Sequence, residues 1–196
     1  MTVRSSTRLL IKNVMRGFSL IVVFPFAVMA GFGRFAAVFQ TCAQLLALLP
    51  GLPGDFLRAA YYFLTLREFS LNSKVCFGSF FAQSTCCVAE GVYIGAYSVI
   101  GACEIGERTQ IASHVQVLSG KHQHGRNAQG QLLGAEEQTF NPVVIGSDCW
   151  IGAAAIIMAD IGAQTTIGAA SVVTRPIPTG VVAVGNPARL LDRAAK

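Results

Sequence analysis

An aliphatic residue, usually followed by glycine, returns along the second half of the chain at Ile145, Ile151, Ile157, Ile161, Ile167 and Val173. The step is six residues except between Ile157 and Ile161, where it is two short. The same beat runs upstream at Val88, Ile94, Ile100, Ile105, Ile111 and Val117, with one slip between Ile100 and Ile105. Six is neither the 3.6 of a helix nor the 2.0 of an amphipathic strand, so the pattern predicts a solenoid of very short strands and tight corners. One inward aliphatic per hexad fills each coil, and neighbours such as Gly95, Gly106, Gly146 and Gly152 are expected to let the chain turn without a Cβ clash. Each coil leaves an apolar face that only the next coil covers, so the coils must stack. They are expected to begin near Leu71, the stretch from Leu71 to Cys87 following the hexad only loosely. Between the two blocks, over Ser119 to Asn141, the beat is lost in a polar, glycine-bearing run. We read residues 119–143 as a loop inserted in the solenoid, and long irregular loops in compact domains are usually functional.

Ahead of the solenoid, Gly17 to Gly33 carries no charge. As a helix it would measure ~25 Å, somewhat short of the ~30 Å hydrocarbon core of a bilayer. Pro25 sits mid-run and is expected to kink it. A second uncharged stretch, Phe35 to Gly54, closes on the breaker Pro50–Gly54, and residues 55–70 form an amphipathic helix leading into the coils. Tyr61 and Tyr62 are expected to pack on the first coil. Residues 1–70 thus form a basic, hydrophobic helical segment ahead of a β domain over 71–196. Four readings of residues 17–54 stay open: a cleaved signal peptide, one spanning helix, a monotopic pair of helices entering one leaflet and returning with a break near Gly31–Gly33, and a soluble arm. The monotopic pair is preferred.

Charge sharpens this picture. The chain of 196 residues carries a formal +5, and residues 1–58 hold Arg4, Arg8, Lys12, Arg16, Arg34 and Arg58 against the single Asp55. The whole excess therefore sits in the N-terminal segment, and the β domain is neutral. That points to an anionic membrane surface met by residues 1–58, and away from nucleic acid, which calls for basic residues on the folded body. Basic flanks place the N-terminus on the cytoplasmic side, hence at the cytoplasmic face of the inner membrane. The six cysteines show no C-x-x-C pair or metal-finger spacing; they read as small apolar fillers in a reducing compartment.

The hexads, with Trp150-Ile-Gly152 and the run from Val181 to Arg189, resemble the left-handed parallel β-helix acyltransferases. The likeness is to the galactoside, maltose and xenobiotic acetyltransferases and the exopolysaccharide O-acetyltransferases, and it covers roughly residues 88–193. It implies a mainly β, left-handed β-helix of five or six coils of ~18 residues, a homotrimer, and acetyl-coenzyme A as co-substrate with no metal. Following the family's pattern from Ile105-Gly106 through Ile111-Ala112, the general base falls on His122, with His124 as the alternative because Lys121-His122 replaces the family's Gly-His. A neutral imidazole suits removal of a hydroxyl proton near neutral pH. His114, in the hexad I-A-S-H-V-Q, is read as structural. The resemblance lays the pantetheine arm along backbone near Ala153 and Ala169, and gives the phosphates Thr174, Arg175 and Arg189, with arginine supplying forked hydrogen bonds. Trp150 packs at a corner by the subunit seam or meets ligand.

The acceptor-binding positions find no secure match, Glu90, Tyr93, Tyr97 and Glu104 standing there instead. The implied activity is transfer of an acetyl group to a sugar hydroxyl, that of a lipid-linked saccharide or exopolysaccharide precursor. Two other readings stay open: a non-catalytic hexapeptide scaffold, and a gamma-type carbonic anhydrase. The second needs three zinc-binding histidines, and here His122 and His124 lie two apart with no histidine on an earlier coil.

Overall fold

The structure, a computed structural model, describes residues 3–119, 127, 129–131 and 142–191. Three helices precede the solenoid: α1 (Val3–Met29), α2 (Ala36–Ala47) and α3 (Gly51–Thr65). The chain then winds through short strands that stack into three parallel faces. The first face holds β1 (Glu68–Phe69), β4 (Cys87–Val88), β7 (Cys103–Ile105) and β10 (Val143–Ile145). The second holds β2 (Lys74–Val75), β5 (Tyr93–Ile94), β8 (Gln110–Ile111), β11 (Trp150–Ile151), β13 (Thr166–Ile167) and β15 (Val182–Val184), with β16 (Arg189–Leu190) turning back antiparallel to β15. The third holds β3 (Phe80–Phe81), β6 (Val99–Ile100), β9 (Gln116–Val117), β12 (Ile156–Ile157) and β14 (Val172–Val173). The hexad residues all point inward and are buried.

The slips in the beat have one location. Along the first and second faces the step from one inward residue to the next stays at six. Every irregular step, from Phe81 to Val88, Ile100 to Ile105, Val117 to Ile145, Ile157 to Ile161 and Val173 to Ile177, falls at the corner between third and first faces. Coils are therefore not uniformly ~18 residues: Ile94 follows Val75 by 19, Ile111 follows Ile94 by 17, and Ile167 follows Ile151 by 16. The coil with the insertion keeps its register, Ile151 sitting on Ile111 and Ile157 on Val117. The 40 residues from Ile105 to Ile145 exceed the 16 from Ile145 to Ile161 by 24, all at that corner.

Coiling begins earlier and more regularly than the sequence implies. Phe69, Val75 and Phe81 keep the six-residue step through the first coil. Aromatic side chains stand where later coils carry aliphatics, and this masked the hexad. They serve as an end plug. Tyr62 of α3, fully buried, lies edge-on to Phe81 with ring centroids 4.8 Å apart, and Phe69 packs beside both. Its hydroxyl accepts the Phe81 N–H, while Tyr61 donates to the Phe39 carbonyl. The α3 helix thus caps the open end of the core, as a solenoid's terminal unit must.

The glycines act differently from expectation. The left-handed corner conformation falls three residues after each inward Val or Ile of the first and second faces; glycine takes it at Gly78, Gly91 and Gly180, but elsewhere it is taken by Tyr97, Arg108, His114, Asp148, Ala154, Gln164 and Ala170, with φ between 56° and 61°. Gly146 and Gly152 are small because a Cβ would lie 2.4 Å from the amide nitrogens of Ala163 and Ala169 on the next coil.

The N-terminal segment turns at the expected break, Gly31–Gly33, but departs from expectation at Pro25 and Arg58. The α1 helix continues through Pro25 to Met29, and the reversal comes at a 3₁₀ turn, Gly31–Gly33, where Phe32 has φ 52°. Arg58, counted above among cations facing a membrane, is fully buried. Its Nε donates to Val75 O (2.9 Å), Nη1 to Leu46 O (3.0 Å) and Leu49 O (2.7 Å), and Nη2 to Asp55 (2.6 Å). One guanidinium therefore ties the α2–α3 turn to the first coil.

Candidate active site

The site is built at the two edges of the third face. At the edge shared with the second face, Ala153 and Ala169 lie on successive coils, the Ala170 N–H donating to Ala153 O at 2.8 Å. With Ala154 and Ala170 they form an exposed strip two coils tall that bears nothing larger than a methyl group. Extended ligand backbone can approach such a strip closely, so these positions fit the pantetheine arm expected there. Lower on the same corner His114 stacks on Tyr97 (centroids 5.2 Å apart, 14° between planes), and Tyr97 meets Phe77 edge-on at 5.5 Å. The ring closes an aromatic stack, in keeping with a structural role. Above the strip, Gly185 O accepts from Val172 N and Ala188 N donates to Val172 O. This brings the exposed Arg189 beside the top of the third face.

The opposite edge, between third and first faces, carries Thr174 and the exposed Arg175 directly after β14. Two coils below, about 10 Å at the usual strand spacing, the inserted loop leaves from this edge. Both of its roots are bonded to one residue. The Ala102 N–H donates to Ser119 Oγ (2.9 Å) and Ala102 O accepts the Val143 N–H (3.0 Å). The outgoing strand is held as far as Leu118, whose N–H donates to Ile157 O at 2.9 Å. His122 and His124 follow Ser119 by three and five residues and lie outside the described residues. The structure therefore brings together Ala153, Ala169 and Arg189 at one edge and Thr174, Arg175 and the loop's root at the other. Trp150 stands apart from them. It lies on the strand of the second face between Gln110 and Thr166, 61% exposed, rather than at a corner.

Between the two edges, the third face shows Val99, Gln116, Ile156 and Val172, apolar but for one residue and partly exposed beyond the shelter α2 gives Phe80. The first face is polar, with Arg67 donating to Glu104 at 2.6 Å and to Cys87 Sγ at 2.8 Å. These contacts, and the one spanning the insertion, escaped the sequence. Arg108 on the coil before the loop grips Asp148 on the coil after it with both carboxylate oxygens, at 2.7 and 2.8 Å. The guanidinium holds the Asp148 carboxyl below its ordinary pKa. Its signal was the shared hexad phase of Arg108 and Asp148, three residues after Ile105 and Ile145. All six cysteines are free thiols, with Cys86 inside and Cys87 outside on adjacent positions. Among the described residues no group of three His, Cys, Asp or Glu is placed to hold a metal ion.

Stacked hexads, αL corners and an insertion at one edge define a left-handed parallel β-helix. No protein-family profile matches the chain. The curated proteins it resembles include the galactoside O-acetyltransferase of Escherichia coli K12, 35% identical over 91 residues that cover 44% of this chain and 42% of that protein. Another is the putative colanic acid biosynthesis acetyltransferase WcaF of the same organism, 31% identical over 93 residues, 45% of this chain and 46% of WcaF. In each case the chain spans less than half of the relative's length. Among solved structures, the N-acyltransferase AntD of Bacillus cereus, in complex with dTDP-4-amino-4,6-dideoxyglucose and coenzyme A, superposes with a TM-score of 0.51 at 20% identity, covering 64% of this chain and 72% of AntD. That likeness is one of fold.

Proposed function

We propose that this protein is a coenzyme A-dependent O-acetyltransferase that acetylates a sugar hydroxyl of a lipid-linked saccharide or polysaccharide precursor, working as a trimer at the cytoplasmic face of a membrane. The carrying observation is the loop bearing His122 and His124, rooted through Ser119 on the same edge as Thr174 and Arg175. The bare Ala153–Ala169 strip and Arg189 supply the other edge. Similarity to a galactoside O-acetyltransferase and to a putative colanic acid biosynthesis acetyltransferase supports the acyl acceptor class.

In this reading His122 accepts the acceptor's hydroxyl proton while the oxygen attacks the thioester carbonyl carbon. The tetrahedral adduct collapses with cleavage of the C–S bond, and the proton held by the imidazole passes to the departing thiolate. The acetyl ester and free coenzyme A leave, with no covalent enzyme intermediate. Thr174, Arg175 and Arg189 hold the anionic head of the donor, and the apolar third face is covered by a second copy.

The test is turnover of acetyl-coenzyme A with oligosaccharide acceptors, followed by release of free thiol. His122→Ala should lower kcat by ~10²–10⁴-fold with the thermal unfolding curve unchanged. Full activity in His122→Ala, with loss only in His124→Ala, would move the base to His124. Full activity in both would end the proposal.

A further inference from the structure

The α1 helix is long and apolar enough over Arg8–Met29 to cross a bilayer, and only 11% of its most apolar stretch is buried. Its surface is divided. Arg16, Ser19, Val23, Ala27 and Ala30, at steps of three and four, face the protein. The Arg16 guanidinium donates to Leu71 O at 2.6 Å and to the Asn72 side chain on the first coil, and the other four are buried. Leu10, Val14, Phe18, Ile21, Phe24 and Val28, also at steps of three and four, form the opposite stripe, each 49–74% exposed. Leu45, Leu48 and Leu52 on or beside the neighbouring helices are exposed as well.

We infer that α1 lies flat on an anionic lipid bilayer through the Leu10–Val28 stripe, holding the solenoid above the membrane, and does not cross it. This rests on the membrane reading above and fixes its geometry. Crossing would carry the first coil into hydrocarbon. α1 is packed along α3, whose Tyr62 plugs the core of that coil, and Arg16 is bonded to its backbone. Beside Arg16, Asn72 donates to Glu90, and Lys74 pairs with Asp55 at 2.9 Å. Those charged and polar groups would enter the bilayer with the helix, where hydrocarbon disfavours them even when paired. Lying flat leaves them in water and buries the outer stripe, the arrangement of an interfacial amphipathic helix. Charge complements this placement, for the N-terminal segment carries the chain's whole net excess, and Arg34, beyond the end of α1 away from the Arg16 contact, is exposed and makes no ion pair among the described residues.

The experiment uses the full chain and vesicles of phosphatidylcholine with or without phosphatidylglycerol, in a flotation assay that needs no acyl donor. Wild type should float with mixed vesicles, less with neutral ones, and Arg34→Gln should lose about fivefold of the phosphatidylglycerol-dependent part. Ile21→Asp should lose binding at least tenfold while keeping the wild-type unfolding curve, and turnover on a water-soluble oligosaccharide should persist. Depth is read from Phe18→Trp and Val28→Trp with brominated lipids. Flat docking predicts equal quenching of both by bromines near the headgroups. Strongest quenching of either by bromines at the bilayer centre means a crossing helix and overturns the inference. So does unchanged flotation of Ile21→Asp, equal flotation with neutral vesicles, or no flotation of wild type. Loss of turnover with flotation intact would count against the acetyltransferase reading alone.

Discussion

Replacing Arg58 by Met tests the joint between helices and solenoid. Methionine keeps much of the side chain's volume and removes every donor. Three carbonyls, Leu46 O, Leu49 O and Val75 O, then lose the guanidinium, and Asp55 loses its buried partner. An orphaned buried polar group costs about 1–3 kcal/mol, and breaking a buried ion pair by removing one partner costs about 3–5 kcal/mol. These overlap, because Asp55 retains Lys74 and α2 can move to admit water. A net loss of about 3–5 kcal/mol is expected, a large part of an ordinary domain's stability. Stacked coils depend chiefly on their neighbours, so the damage should be local. Hydrogen exchange should quicken first in α2, α3 and the first coil, while the coils from Ile145 onward keep their protection. Arg58→Lys should fall between, since one ammonium cannot span three carbonyls and a carboxylate. Denaturant melts that place Arg58→Met within 1 kcal/mol of wild type would refute this account of the joint, as would uniform loss of protection across all coils.

Other outcomes follow from the same geometry. Arg175→Ala and Arg189→Ala should raise KM for acetyl-coenzyme A several-fold each with little change in kcat, and dephospho-coenzyme A derivatives should feel the substitutions less. Gly152→Ala places a Cβ 2.4 Å from the Ala169 amide; it should lower Tm and weaken donor binding together, because the Ala153–Ala169 strip must open. Asp148 has a depressed folded pKa, so its grip on Arg108 contributes fully above the unfolded carboxylate value near 3.9 and is lost as pH falls through the lower folded value. Thermal melts should show Asp148→Asn less stable than wild type at pH 6 and the gap closing toward pH 3. A thiol reagent should find two quickly reacting cysteines in the folded chain, Cys76 and Cys87, and six in denaturant. Cys103 should be among the slowest, its pKa pushed well up by the hydrogen bond with Cys86 and by burial.

The solenoid was readable because a single inward position per hexad decides burial, and aliphatics there leave no rival period. The first coil was obscured by the same rule applied with larger side chains, Phe69 and Phe81 being sized to meet Tyr62. Long-range pairings were unreadable. Arg58 looks like one more cation in a basic segment until Leu46, Leu49 and Val75 converge on it, and no spacing announces that. The glycine pattern was visible but its cause was not, since the constraint on Gly152 comes from Ala169, a full coil away. Of the candidate site, small residues at Ala153 and Ala169 and cations at Arg175 and Arg189 were open to sequence comparison, because each keeps a fixed phase. The distribution of those residues between two edges of one face appears only when coils are stacked.

Why the insertion sits at one corner follows from the register. The first and second faces are joined to the next by steps of six that never vary, so an added residue there would turn every later inward side chain outward. The corner between third and first faces already absorbs steps of four, five and seven without disturbing β10 on β7 or β11 on β8. A 24-residue excursion adds to that tolerance nothing the ladder can feel, provided its two roots return to one place. Ala102 supplies that place, giving its N–H to Ser119 and its carbonyl to Val143. A loop pinned at both ends to one residue can vary in length and sequence while its first residues after Ser119 leave from a fixed point on the edge that carries Thr174 and Arg175 two coils above. Substituting Ser119 by Ala should therefore impair turnover more than stability: one hydroxyl bond is lost from the core, but the origin of the loop that carries His122 is released.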